Sequence, residues 1–168
     1  MSDTQPLLEE LDRLLLQEME AYQQLLALQQ KEKRLIVEQA LESFLVNLRA
    51  KEHLARKLTG CEKNRQAVTI RLAPLLQLPA TTTTLQQLST RVKEPYASRF
   101  LYYRTRLRTL IDDLRRLNNE NAMLLHDSLA FIEHVLVFFD RMQPDSATYH
   151  QSGKFTPQKQ GRLLSEKV

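Results

Sequence analysis

The sequence has one cysteine, three glycines and no tryptophan. With Cys61 alone no intrachain disulfide can form, and a reducing compartment is the natural expectation. Gly60, Gly153 and Gly161 lie too far apart for a phosphate-cradling loop, and no Gly-x-Ser-x-Gly elbow is present. Chain reversals must therefore be made with few tight turns. The start, Met1-Ser2-Asp3-Thr4-Gln5, lacks a basic stretch followed by an apolar one, so no signal peptide is expected. No uninterrupted run reaches the roughly 18 apolar residues of a membrane span, and a cytoplasmic protein is expected.

Charged residues make up 26% of the 168-residue chain, and the net charge is +4. Its distribution is uneven. From Arg141 onward five Lys or Arg face two Asp or Glu, which assigns 5 − 2 = +3 to the tail and leaves the body nearly neutral. Such a balance gives little support to a nucleic-acid surface along the body.

Hydrophobic spacing predicts an all-α bundle: an antiparallel long-helix hairpin, or three-helix coiled-coil bundle, with a short helix in the linker. Leu8, Leu11, Leu15, Met19, Tyr22, Leu25 and Leu26 define a first helix, about 6–36, with Pro6 in its first turn. Asp3, Glu9, Glu10 and Asp12 crowd the end favoured by the helix dipole. A second stripe, Leu41, Phe44, Leu48, Leu54, Leu58, Cys61, Val68 and Leu72, defines a helix over about 40–73. The turn between them is placed at Val37–Ala40, although neither Gly nor Pro marks it, because one unbroken helix would run roughly 100 Å without a partner. Gly60 is a candidate kink.

Pro74, Pro79 and the run Thr81-Thr82-Thr83-Thr84 predict a linker, and Thr84 with Gln87 fits a capping box opening a helix over 85–92. Pro95 then opens a last helix over 95–139. Its heptads are the most regular in the chain: Leu107, Leu114, Asn121, Ser128 and Val135 at one core position, and Leu110, Leu117, Leu124, Phe131 and Phe138 at the other. Ile111, Leu125, Ile132 and Phe139 widen the stripe. Arg99, Arg104, Arg106 and Arg108 are placed to face the acidic first helix. These helices make residues 1–140 the bundle. Residues 141–168, with Pro144, Pro157 and few large hydrophobes, read as a flexible tail that orders on a partner.

The histidines, His53, His126, His134 and His150, lack the spacing of helical metal ligands, and no metal or cofactor is expected. His126 and His134 could share a face, but polar residues flanking a seam explain them. Cys61 has no evident base or orienting group, and a lone helical Cys behaves as a small hydrophobe. An enzyme is not expected. Asn121 and Ser128 admit two readings, a register-setting polar pair inside a seam or notches where a further helix docks with its own hydrogen bonds.

The run Leu117-Asn118-Asn119-Glu120-Asn121-Ala122-Met123-Leu124-Leu125-His126-Asp127-Ser128-Leu129-Ala130-Phe131-Ile132 resembles the Leu-Asn-x-x-Asn-x-x-Leu-Leu-x-x-Ser-Leu-x-Phe signature of FlgN-type flagellar export chaperones. Tyr149-His150-Gln151-Ser152-Gly153 is similar to that family's Tyr-x-x-x-Gly tail element. The resemblance implies a cytoplasmic type III secretion chaperone that binds the helical termini of the hook–filament junction proteins FlgK and FlgL. It further implies that the chaperone prevents their premature assembly and delivers them to a membrane export gate. Carried over by motif, Asn118, Asn121, Leu124, Leu125, Ser128, Phe131 and Ile132 belong to the partner-binding stretch, and Tyr149 meets the gate. Val135, Phe138 and Phe139 extend that stretch by the heptad pattern alone. The chain departs from the family in two places: Glu38-Gln39 stands where Gly-Asp is common, and fifteen residues follow Gly153. Without the resemblance, the residues would equally describe a general helical adaptor, or less well a basic-tailed nucleic-acid binder.

Overall fold

The computed structural model describes residues 4–142, with side chains through 139. The tail from 143 onward, with Tyr149, lies outside the described residues. Among these there are four helices and no strand: α1 (Thr4–Val37), α2 (Leu41–Leu75), α3 (Leu85–Arg91) and α4 (Tyr96–Met142). The chain divides into two compact units, Met1–His126 and Asp127–Val168.

In the first unit α1 and α2 form the hairpin, and its turn is built without glycine. Gln39 takes the left-handed conformation at φ 55°, its amide donates to the Ile36 carbonyl at 3.1 Å, and Ala40 donates to Leu35 at 3.0 Å. This is the Schellman arrangement, which satisfies the last carbonyls of α1. The same device ends α2, with Gln77 at φ 57° donating to Pro74 and Leu78 donating to Ala73. Pro74 is tolerated near that end, inside the last turn of the helix. Gly60 introduces no break, because α2 is continuous across it and its backbone is ordinary helix. Thr84 and Gln87 make the reciprocal bonds of a capping box at the start of α3. At the start of α4 the Glu94 carboxylate accepts from the Ser98 hydroxyl at 2.6 Å.

The apolar core sits at the open end of the hairpin. Leu7, Leu8, Leu11, Leu14, Leu15 and Met19 of α1 pack with Val68 and Leu72 of α2, Leu88 of α3, and Phe100, Tyr103, Leu107 and Leu110 of α4. This is the stripe read from the sequence, widened by Leu7 and Leu14. A small cluster of Ala21, Leu54 and Leu58 follows. Between the two clusters, buried Glu18 receives the Arg65 guanidinium at 2.6 Å, and Tyr22 donates to Glu62 at 2.8 Å. Closer to the turn, Asn47 of α2 donates to the Leu28 carbonyl and Asn121 of α4 to the Gln29 carbonyl, each at 3.0 Å. Those carbonyls have a second lone pair beyond their helical bond, so two neighbouring helices are pinned to successive rungs of α1.

Several expectations are corrected here. α1 starts at Thr4 and has no acidic residue in its first turn, so Glu9, Glu10 and Asp12 lie too far along for the dipole to matter, and Asp3 lies outside the described residues. Of the four arginines at the start of α4, only Arg99 reaches an α1 carboxylate, Asp12 at 2.8 Å, while Arg104, Arg106 and Arg108 are exposed. Leu41 and Leu48 of the α2 stripe are exposed; Leu35 and Ile36 of α1 are buried beside the turn, and the buried α2 position nearest to it is Asn47. Finally, α4 does contain an 18-residue window of mean hydropathy 1.5, long and apolar enough to cross a membrane by those criteria alone. The sequence reading required an unbroken apolar run, whereas an average tolerates Asp127 and Glu133 within it. A carboxylate at a bilayer centre costs about 3 kcal/mol, and both of these side chains are exposed.

Candidate partner-binding surface

α4 carries every predicted contact residue except Tyr149, and its two stretches differ in what they offer. Within the first unit, Asn121 is only 1% exposed and its amide is used on the Gln29 carbonyl. Asn118 is exposed, and its side-chain oxygen accepts from the Gln29 amide at 3.4 Å. Lys33 bonds Glu120 at 2.8 Å, and this bond, ahead of that from Arg116, holds the Glu120 carboxyl below its ordinary range. The Asn118–Asn121 stretch thereby keys α4 onto α1, which is the register-setting alternative for Asn121. Leu124 and Leu125 are half-buried.

The first unit also holds a mainly apolar groove of about 460 Å³ between α1, α2 and α4. Tyr22, Leu25, Leu48, Ala55, Ile111 and Leu114 line it, and Lys51, Glu52, Arg115 and Asn118 supply its polar edge. Burial, followed by the hydrogen bond to Glu62, pushes the Tyr22 phenol above its ordinary value. Tyr22 is therefore a neutral donor over any physiological range.

In the second unit the helix surface is apolar and open. Phe131 is 67% exposed, Ile132 52%, Phe138 58% and Phe139 60%, while Val135 is half-buried and Ser128 exposed. The Phe138 and Phe139 rings meet edge to face with centroids 6.0 Å apart. Leu129 and Leu136, at 61% and 53% exposure, belong to the same surface but fall outside the heptad core positions. Their signal was available: Leu125, Leu129, Ile132 and Leu136 step by four, three and four residues, the period of a straight helix. Isolated large hydrophobes on a surface need no explanation, but a contiguous set of this size is what interaction sites expose.

Among the described residues no group of three or more His, Cys, Asp or Glu side chains could hold a metal ion. What α4 offers is shape: a helix keyed at Asn118–Asn121 and, from Leu129 on, a row of open apolar side chains.

The profile of the family described as FlgN protein matches residues 1–157. The chain belongs to the FlgN family. No curated protein and no solved structure matches it. Membership in the FlgN family carries the general role of a flagellar export chaperone. The match ends at Pro157, so Gln158–Val168 lie beyond what the FlgN family describes.

Proposed function

We propose that this FlgN-family chain binds the helical termini of the hook–filament junction proteins FlgK and FlgL in the cytoplasm, keeps them from assembling early and delivers them to the export gate. The observation that carries the reading is the open apolar surface from Leu129 to Phe139 on a helix end. Subunits that later polymerise through terminal helices must have those apolar faces covered beforehand, and an amphipathic helix laid against such a surface does so. Phe131, Ile132, Val135, Phe138 and Phe139 are the contact residues in this account, with Ser128 supplying a polar notch. Leu124 and Leu125 extend the apolar row, and Asn118 and Asn121 fix where α4 starts to present it. Tyr149 is assigned to the gate by its motif. The protein acts without a cofactor and without catalysis.

The test is co-elution of the purified chain with FlgK or FlgL from the same organism. A stable complex supports the reading; separate elution of both subunits at micromolar concentration contradicts it. A soluble fragment of the export-gate protein retained by the parent chain but not by Tyr149→Ala tests the second partner.

A further inference from the structure

The apolar surface of the second unit is built from two seams side by side. Ser128, Phe131, Val135 and Phe138 step by three, four and three residues, the spacing with which one helix receives another. Leu129, Ile132, Leu136 and Phe139 repeat those steps one residue later, which turns the second seam about 100° around the helix. Together the seams cover roughly half the circumference, from Phe138 at one margin to Leu129 at the other. Leu129, Phe131, Ile132, Leu136, Phe138 and Phe139 are each exposed by more than half, so both seams are open. At about 200 Å² for a whole residue of this size, these six leave roughly 700 Å² of apolar surface, close to what one partner contributes to a specific interface.

We infer that this surface receives two amphipathic helices of one partner at once, one in each seam. The inference rests on the chaperone reading above and states how much of the exported subunit is held. A contact between two helices occupies one seam, so a single helix leaves either the Phe131–Phe138 margin or the Leu129–Leu136 margin in water. At an interaxial distance of about 9 Å, helices seated in seams about 100° apart have axes roughly 14 Å from each other, the diagonal of a square four-helix arrangement. They do not compete for space. A second copy of this chain does not complete the surface, because a symmetric pair buries the same seam on both copies and leaves the other seam open on each. Membership in a chaperone family favours protein over lipid as the occupant.

Leu129 and Phe131 separate one helix from two, since they lie about 3 Å apart along the axis but about 160° apart around it. The experiment places the photo-cross-linking residue p-benzoylphenylalanine at one position or the other in the full chain, irradiates the complex with FlgK or FlgL, and identifies the joined peptides by mass spectrometry. The two positions are expected to join different helical segments of one subunit, and Leu136 and Phe138 to reproduce that division. Leu129→Asp/Leu136→Asp is expected to weaken subunit binding at least roughly tenfold while leaving helicity by circular dichroism unchanged. Cross-links from both positions to the same segment overturn the inference, as does an affinity indifferent to Leu129→Asp/Leu136→Asp. Cross-links between two copies of the chain, or to its own residues 143–168, that persist with the subunit in excess overturn it equally. So does release of the subunit by phosphatidylcholine and phosphatidylglycerol vesicles, because the surface would then belong to lipid. A subunit that binds without joining either position defeats the inference and leaves the chaperone reading intact. Absence of any subunit binding defeats that reading as well.

Discussion

Gln39 and Gln77 show how a helix end can be hidden from sequence reading. Both adopt positive φ and close Schellman bonds, a role usually signalled by glycine or asparagine. The first turn was legible only because a single helix of that length would have had no partner; the residue that makes it carries no signature. A residue with a Cβ pays a steric cost in this conformation, so Gln39→Gly should raise stability by about 0.5–1 kcal/mol, read from urea unfolding. Destabilisation would mean that the Gln39 side chain makes contacts that outweigh the strain. Glu18 offers a prediction of a different kind. Burial, the first cause, raises its pKa against the opposing pull of Arg65. Its contribution to stability is thus complete below the unfolded-state pKa and is lost as pH rises through the folded-state value. Glu18→Gln lacks that loss, so the stability of the variant relative to the parent should increase from about pH 4 to about pH 7. A relative stability that falls over this interval would show the Arg65 ion pair to dominate.

The elements were largely visible in the sequence because periodicity reports which face of a helix is buried. Leu8, Leu11, Leu15, Met19, Leu107, Leu110 and Leu117 are buried, whereas Leu114 is half-buried and lines the groove. What periodicity could not show is that amide and ion-pair contacts interrupt the apolar packing along the hairpin. Asn47 sits at a buried position that a hydrophobic template skips, and Leu41 and Leu48, which the template selects, are exposed. Asn121 tests the register role of these polar contacts. Its Oδ1 is buried without a hydrogen-bond partner, so replacement by leucine removes an unsatisfied atom along with one donor. Asn121→Leu should therefore change unfolding free energy by less than about 1 kcal/mol, whereas Asn121→Asp should cost about 3 kcal/mol by burying an uncompensated charge. Equal losses in the two variants would contradict a pinning role and indicate simple sensitivity to shape.

At the scale of the whole molecule, packing and partner binding are assigned to different stretches of the chain. The hydrophobic core and the polar pins belong to Met1–His126, and the exposed aromatic row belongs to Asp127–Val168. The family signature was readable in the sequence because it combines both kinds of residue in one run, but which of them would be buried was not. Asn121 and Phe138 look equivalent on a heptad diagram; one is buried and the other is 58% exposed. Truncation after Phe139 should leave helicity and melting temperature nearly unchanged while removing export-gate docking or subunit binding. A marked fall in melting temperature would place the tail in the folded core.

The open apolar row on α4 is proposed to hold the exported subunit, and the dissociation constant for FlgK or FlgL, measured with the parent chain and with Phe131→Asp/Phe138→Asp alongside thermal melts, decides the matter. Both rings are exposed in the free protein, so the melting temperature should move little, while subunit affinity should fall at least roughly a hundredfold, as expected when two central aromatic contacts are replaced by charges. Undiminished affinity in a fully folded variant would contradict the claim and move the binding surface elsewhere on the chain.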